Sequence, residues 1–162
     1  MGSGQQPVLA TRARRRSRAL SSAGYSGTPL PRKLGIEEGS TFAILDDPGV
    51  ADALIAPLPA GARRVPEPAE ADVVVCFTRS REHLATRLPP LGEAIFPQRL
   101  LWIAWPKRTA GIATDVTEDV VREVALPLGL VDTKVAAIDA TWSGLRLVWR
   151  RELRDRRPTR GR

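Results

Sequence analysis

The stretch "VDTKVAAIDATWSGLRLVWR", residues 131–150, decides how the chain folds. It contains two β-prone runs, 131–139 and 142–150, separated only by Ala140 and Thr141. In the second run, apolar side chains recur at every other position, which is typical of a β-strand. A link this short permits only an antiparallel pair, because parallel strands need a longer crossover. The stretch therefore predicts a C-terminal β-hairpin.

The segments before the hairpin alternate between strand and helix patterns. Continuous apolar runs predict buried strands, as expected where helices cover both faces of a parallel sheet. These runs are 40–47, 71–78 and 99–106, with a brief strand within 61–71. Helices are predicted at 50–58, at 80–88 with a helical continuation over 91–96 after two prolines, and at 117–126. The order β-α-β-β-α-β-α-β-β predicts a Rossmann-like three-layer α/β sandwich, mostly parallel, with a C-terminal antiparallel hairpin. This topology is methyltransferase-like in a degenerate form, an analogy at the level of the fold alone.

The net charge of +7 is unevenly distributed over the 162 residues. Residues 24–149 hold 13 Lys or Arg and 16 Asp or Glu, a net charge of −3, and the other 12 basic residues lie outside them. We interpret 1–22 and 151–162 as disordered basic tails of one domain, 23–150, which opens with an irregular arm at 23–36. Such tails bind polyanions non-specifically, so a nucleic-acid-associated function acting through them is one alternative.

The composition excludes several kinds of site. One cysteine, Cys76, cannot form an internal disulfide, and one histidine, His83, cannot supply a site that needs several imidazoles, so no metal site is expected. We interpret Cys76 as a small core residue of a strand and His83 as a surface residue of a helix. No apolar stretch reaches the roughly 18 residues of a membrane span, and no secretory signal pattern is present, so we expect a cytoplasmic protein without a membrane partner.

Polar residues follow three of the predicted strands at the edge where open α/β sheets bind ligands. They are Asp46 and Asp47 after the first strand, Thr78, Arg79 and Ser80 after the third, and Lys107, Arg108 and Thr109 after the fourth. Arginine could hold a carboxylate or phosphate by a bidentate fork, and lysine as a point charge. Further candidates are Trp105 and Trp142 at strand ends and Tyr25, Ser26 and Thr28 in the arm.

The turn "DDPGVA", residues 46–51, argues against a dinucleotide ligand. A dinucleotide site needs G-x-G-x-x-G there, whereas this turn offers one glycine and two carboxylates that would repel phosphate. S-adenosylmethionine carries no phosphate, so these two carboxylates do not exclude it as a ligand. The main hypothesis is therefore a non-catalytic or cryptic ligand-binding module for a small anionic ligand or a protein partner. The alternative is a small-molecule methyltransferase with a non-standard S-adenosylmethionine turn.

Three strings carry a resemblance to a known family. They are "AGYSGTPLPRKLGI" (23–36), "LWIAWPKRTAG" (101–111) and "TDVTEDVVREVALPLGLVDTKVAAIDATWSGLRLV" (114–148). Together they resemble a family of small uncharacterised bacterial proteins, mainly actinobacterial, catalogued as a domain of unknown function. The resemblance implies a cytoplasmic bacterial protein, with no reaction or cofactor to carry over. The shared motif positions would be Gly24, Tyr25, Ser26, Gly27, Thr28, Lys107, Asp115, Asp132, Lys134 and Trp142.

Overall fold

The computed structural model describes residues 28–155. Its strands are β1 (Thr41–Leu45), β2 (Arg63–Arg64), β3 (Val73–Phe77), β4 (Leu100–Pro106), β5 (Leu130–Ala137) and β6 (Trp142–Trp149). Its α-helices are α1 (Leu30–Leu34), α2 (Ala51–Ile55), α3 (Arg81–Ile95) and α4 (Glu118–Ala125). From β1 onward this order is the one that the sequence predicts.

The six strands form one mixed sheet in the order β2-β1-β3-β4-β6-β5. The first four are parallel, and β6 is antiparallel to both β4 and β5. The predicted C-terminal hairpin is therefore confirmed. Its turn spans four residues rather than two, because Asp139 Oδ1 accepts hydrogen bonds from the backbone N–H groups of Thr141 and Trp142, at 2.8 and 2.7 Å. Such local side-chain hydrogen bonds end β5 at Ala137, before the end of the predicted strand at residue 139.

Helices cover both faces of the sheet, as predicted. On one face, Leu84 and Leu88 of α3 and Val121 of α4 pack against a cluster that includes Val74 and Ile103, all of them fully buried. On the other face, α1 and α2 pack through a second buried cluster built on the alternate residues of the same strands. Both sides of β3 are buried, which explains its continuous run of apolar residues.

Two predicted helix starts are confirmed by their capping bonds. Ser80 Oγ accepts from the backbone N–H of His83 at 3.0 Å, and Thr117 Oγ1 accepts from that of Val120 at 3.2 Å. Such bonds satisfy donors that the first helical turn leaves free. Helix α3 continues through Pro89 and Pro90, whose exposed positions let water reach the carbonyl groups that lose their partners.

Both ends of the described chain are more ordered than the sequence predicts. The segment expected as an irregular arm contains α1, where Pro31 lies near the start of the helix with a φ suited to it. After β6, residues Arg151–Leu153 form a 3-10 turn, Leu153 packs against the core, and Arg154 Nε donates to the carbonyl of Trp149 at 2.9 Å. The ordered domain thus extends beyond residue 150. None of the helices within 28–155 has the length and apolarity needed to cross a bilayer.

Candidate functional site

A cavity of about 590 Å³ lies at the point where the order of the strands reverses. The chain leaves β1 on one side to form β2 and returns on the other side to form β3, so the loops after β1 and β3 separate at the carboxyl edge. Its walls are Asp46, Pro48, Phe77, Thr78, Arg79, Ser80, His83 and Trp142. We call it the switch-point cavity. It brings together five of the candidate residues predicted from the sequence, namely Asp46, Thr78, Arg79, Ser80 and Trp142.

Asp46, the residue directly after β1, has an unusual backbone conformation. With φ of 57°, it is the one non-glycine residue among 28–155 in the left-handed region. Its Oδ2 lies 2.8 Å from Nε of Arg87 and 3.1 Å from Nε2 of His83, both on α3. Backbone strain of this kind persists where surrounding contacts determine the position, and it is concentrated at functional sites. His83 and Arg87 of α3 therefore hold the Asp46 carboxylate in the wall of the cavity.

His83 bridges two polar groups of the same wall. Its Nδ1 lies 2.8 Å from Oγ1 of Thr78, whose hydroxyl can also donate to the carbonyl of Ser80 at 3.2 Å. Because an ionised carboxylate only accepts, the contact with Asp46 places a proton on Nε2. In the neutral ring, Nδ1 then accepts the proton of the Thr78 hydroxyl. In the charged ring, Nδ1 donates and the Thr78 hydroxyl turns to the Ser80 carbonyl.

The sequence interpretation of His83 as a surface residue misses this role. The histidine side chain is only about one-third exposed, at 36%, and it lines the cavity. A signal was available in the i, i+4 spacing of His83 and Arg87, which puts both side chains on one face of α3. That spacing could not reveal that their shared partner is Asp46, which lies on another element.

Asp47 does not line the cavity, although it was predicted at this edge. Its Oδ1 accepts hydrogen bonds from the backbone N–H groups of Gly49, Val50 and Ala51, at 2.8, 3.0 and 3.1 Å. Burial raises the pKa of Asp47, but these three donors outweigh it and leave the pKa below its ordinary value. The carboxylate thus occupies the N–H groups that would otherwise cradle a phosphate after β1.

Cys76 lies directly behind Asp46. The cysteine is fully buried on β3, and its Sγ is 3.7 Å from Oδ2 of Asp46. Burial, and to a lesser degree the Asp46 charge, raises the pKa of the thiol to about 12. A nucleophilic cysteine needs a lowered pKa and exposure, so its interpretation as a core residue is confirmed.

A second cavity of about 380 Å³ lies beside the first, and we call it the Lys107 cavity. It is lined by Trp105, Pro106, Lys107, Arg108, Thr114, Val116, Thr117, Glu118 and Ser143. The two cations predicted as ligand-binding residues therefore face a site of their own. Neither Thr109 nor Thr28 lines either cavity. Tyr25 and Ser26 lie outside the described residues.

The four tryptophans divide into two pairs. Trp102 donates from Nε1 to the carbonyl of Leu34 at 2.9 Å, and Trp149 donates to that of Gly92 at 2.8 Å. Trp105 and Trp142 are 6% and 4% exposed, and their indole N–H groups have no acceptor within residues 28–155. Buried donors are nearly always paired, so an acceptor from outside residues 28–155, whether another part of the chain, water or a ligand, is expected at each indole. Among residues 28–155, no three His, Cys, Asp or Glu side chains converge to hold a metal ion.

Comparisons with known proteins locate the fold. No family model matches the chain, and no curated protein matches it in sequence. A SAM dependent methyltransferase from Aquifex aeolicus is similar with a TM-score of 0.51 and 11% identity, over 89% of this chain and 98% of that one. The chain has a methyltransferase-like Rossmann fold. At this identity, the likeness shows the fold alone.

Two further structures are similar at lower TM-scores. Magnesium protoporphyrin IX methyltransferase from Synechocystis PCC 6803, with bound SAM, has a TM-score of 0.46 and 11% identity, over 91% of this chain and 86% of that one. A fibrillarin pre-rRNA processing protein from Methanococcus jannaschii has a TM-score of 0.45 and 13% identity, over 76% and 70%. The resemblance to a bacterial family of unknown function stays a prediction beside these findings.

Proposed function

We propose that the protein is a small-molecule methyltransferase that binds S-adenosylmethionine in the switch-point cavity. The observation that carries this proposal is the position of the cavity, at the reversal of strand order in a methyltransferase-like sheet. Its volume of about 590 Å³ falls within the range of small-molecule and cofactor sites. The neighbour from Aquifex aeolicus, described as a SAM dependent methyltransferase, shares this architecture over nearly its whole length.

The chemistry of the walls supports a ligand without phosphate. Asp47 already occupies the backbone N–H groups after β1, so a pyrophosphate would find no cradle there. Phe77 and Trp142 pack edge to face with ring centroids 5.0 Å apart, which forms an apolar wall for a flat base. These features fit the proposed cofactor.

The turn after β1 implies a contact of an unusual kind. Gly49 has a φ of 103° and open space beside its Cα, as a close backbone approach would need. Its N–H is nevertheless bound by Asp47, and Gly49 does not line the cavity. The ligand would therefore meet this turn through the side chains of Asp46 and Pro48 rather than through backbone amides.

Bound S-adenosylmethionine would supply an electrophilic methyl group, and the acceptor would supply the nucleophile. An acceptor with a hydroxyl or amine must lose a proton, and His83 can receive it at Nδ1 through the Thr78 hydroxyl, which passes its own proton to Nδ1 and takes that of the acceptor. Asp46 holds the Nε2–H and so fixes the ring, which directs Nδ1 toward the Thr78 hydroxyl. We assign His83 the role of proton acceptor and Asp46 that of its positioning residue.

Equilibrium dialysis with labelled S-adenosylmethionine tests the binding step. We expect saturable binding. S-adenosylhomocysteine should compete for the site, whereas NAD and ATP should not. Trp142→Phe keeps an aromatic, though smaller, ring and removes the N–H, so affinity should fall about 2- to 10-fold, as for one lost neutral hydrogen bond. Trp105→Phe is the matched control, because that residue lines the other cavity, and it should leave the affinity unchanged. Absence of binding at millimolar concentration would end the proposal.

The catalytic step has its own readout. Incubation with methyl-labelled S-adenosylmethionine and a panel of small hydroxyl, amine and carboxylate compounds should give a labelled product. His83→Gln should suppress its formation by a larger factor than it weakens cofactor binding. Binding with no labelled product from any compound would favour the non-catalytic ligand-binding module that the sequence predicts as its main hypothesis.

The alternative that involves nucleic acid depends on the tails, which lie outside the described residues except for 151–155. It stays a prediction that deletion of 1–22 and 150–162 abolishes retention on DNA or RNA. Retention by the truncated protein would contradict a function carried by the tails.

A further inference from the structure

We propose that the Lys107 cavity binds an oxyanion, and that this oxyanion is the carboxylate or phosphate group of the methyl acceptor. The identity of the acceptor rests on the proposed function, whereas the binding of an anion does not. The acceptor would then be a small acidic molecule, anchored at one end and presented to the neighbouring cavity at the other.

The charges in the cavity wall are the first observation. Lys107 and Arg108 follow β4, and neither forms an ion pair with any acid within residues 28–155. The one acid in the same wall, Glu118, is bound to Arg122 on the next turn of α4. Two uncompensated cations thus face one small cavity in a domain whose net charge is negative. A guanidinium fork and an ammonium together suit a carboxylate or phosphate.

The indole of Trp105 is an independent observation. Trp105 is 94% buried and lines this cavity, and its N–H has no acceptor in the described part of the chain. An unpaired buried donor destabilises the fold unless something accepts from it. Trp102 on the same strand does find a carbonyl, so the unpaired state of Trp105 is not a general property of β4. An oxyanion held by Lys107 and Arg108 would supply the missing oxygen.

Residues of the two cavity linings are neighbours along the chain and across the sheet. Trp142 and Ser143 are consecutive on β6 and line one cavity each, opposite Pro106 and Trp105 of β4. On the other side, Thr114 Oγ1 donates to the carbonyl of Arg79 at 2.7 Å and joins the two linings. The two linings therefore contact each other through these residues, and an acceptor anchored in the Lys107 cavity would reach past them to the methyl donor.

Nuclear magnetic resonance of the indole N–H groups tests the anion site directly. The chain has four tryptophans and so four indole signals, and Trp105→Phe and Trp142→Phe identify the two that matter. Full-length protein would be titrated with benzoate and, separately, with inorganic phosphate, at ionic strength held constant with sodium chloride. We expect a saturable shift of the Trp105 signal with at least one of them, and the more effective anion identifies the carboxylate or the phosphate class.

A charge-matched pair of variants controls for non-specific attraction. Lys107→Gln with Arg108→Gln should weaken the binding at least about tenfold, roughly the factor for one lost charge-assisted hydrogen bond. Arg63→Gln with Lys134→Gln removes the same charge from exposed strand positions that line neither cavity, and it should leave the binding unchanged. Equal weakening by both pairs, or a Trp105 signal that does not move with either anion at tens of millimolar, would overturn the proposal.

The same spectra separate this inference from the proposed function. S-adenosylmethionine should move the Trp142 signal. If benzoate or phosphate moves the Trp105 signal but S-adenosylmethionine moves neither, the anion site stands and the methyltransferase proposal fails. If S-adenosylmethionine moves the Trp142 signal and neither anion moves that of Trp105, the methyl donor proposal stands and the anion site fails.

Discussion

Cys76 is the chain's only cysteine, so its reactivity reports directly on the packing behind the switch-point cavity. Burial, followed by the charge of Asp46, raises the pKa of its thiol from 9.0 to about 12. The thiolate is the reactive form. At pH 8 it would make up about one-tenth of the thiol in the unfolded chain and about one ten-thousandth in the native protein. We therefore expect native protein to react with a disulfide reagent such as Ellman's at least roughly 1000-fold more slowly than the unfolded chain.

The measurement compares the rate of thionitrobenzoate release from native protein with that in concentrated denaturant at the same pH. Asp46→Asn removes a charge that contributes to the raised pKa, so the native rate should increase. A native rate within about tenfold of the denatured one, or no increase in Asp46→Asn, would refute the account of the site.

The same raised pKa makes stability depend on pH with a definite sign. Above pH 9 the unfolded chain releases the thiol proton while the folded chain keeps it, so the stability falls by about 1.4 kcal/mol per pH unit toward pH 12. At pH 10.5 the wild type should have lost about 2 kcal/mol through this group relative to pH 8, whereas Cys76→Ala should not show that loss. Urea unfolding at the two pH values measures it, and parallel losses in the two proteins would contradict the expectation.

Three further predictions concern local structure. The pKa of Asp47 is lowered in the folded state, so the ionised carboxylate should make the wild type more stable than Asp47→Asn above the ordinary pKa of 3.8. This advantage should be lost as the pH falls through the lower pKa of the folded state. Acid unfolding of the two proteins measures it, and identical acid profiles would be inconsistent with the prediction. Gly144→Ala would place Cβ at 2.9 Å from Cδ1 of Ile138 and 3.1 Å from the ring of Trp102, so we expect a loss of about 1–3 kcal/mol in chemical denaturation, and an unchanged midpoint would argue against such tight packing. Thr117→Ala removes the N-cap of α4 and should cost about 1 kcal/mol, whereas Thr117→Ser should retain most of the stability; equal stabilities would show that the cap contributes nothing.

Features that depend on neighbouring residues are predicted well from the sequence. The short link at Ala140 and Thr141 allows only a hairpin, and the structure has one. Ser80 and Thr117 cap helices because a capping bond reaches only three residues along the chain. The apolar run of β3 indicates burial on both faces, which the two hydrophobic clusters confirm.

The candidate site is predicted only in part. The rule that ligands bind at the carboxyl edge of such sheets selects Asp46, Thr78, Arg79 and Ser80, which line the switch-point cavity, because it depends on the order of the strands alone. It cannot tell that Asp47 folds back onto its own turn, because neighbouring side chains take different local hydrogen bonds. Nor can it separate Lys107 from Asp46 into different cavities.

By itself, the sequence determined the alternation of strands and helices, the closing hairpin and the edge at which polar residues collect. These follow from periodicity, turn length and connection rules, which act over short distances along the chain. Only the tertiary structure joined Asp46 to His83 and Thr78, because that contact depends on the register of β1 against β3 and on the position of α3 across them. Packing of the whole core sets both, and no local pattern records them.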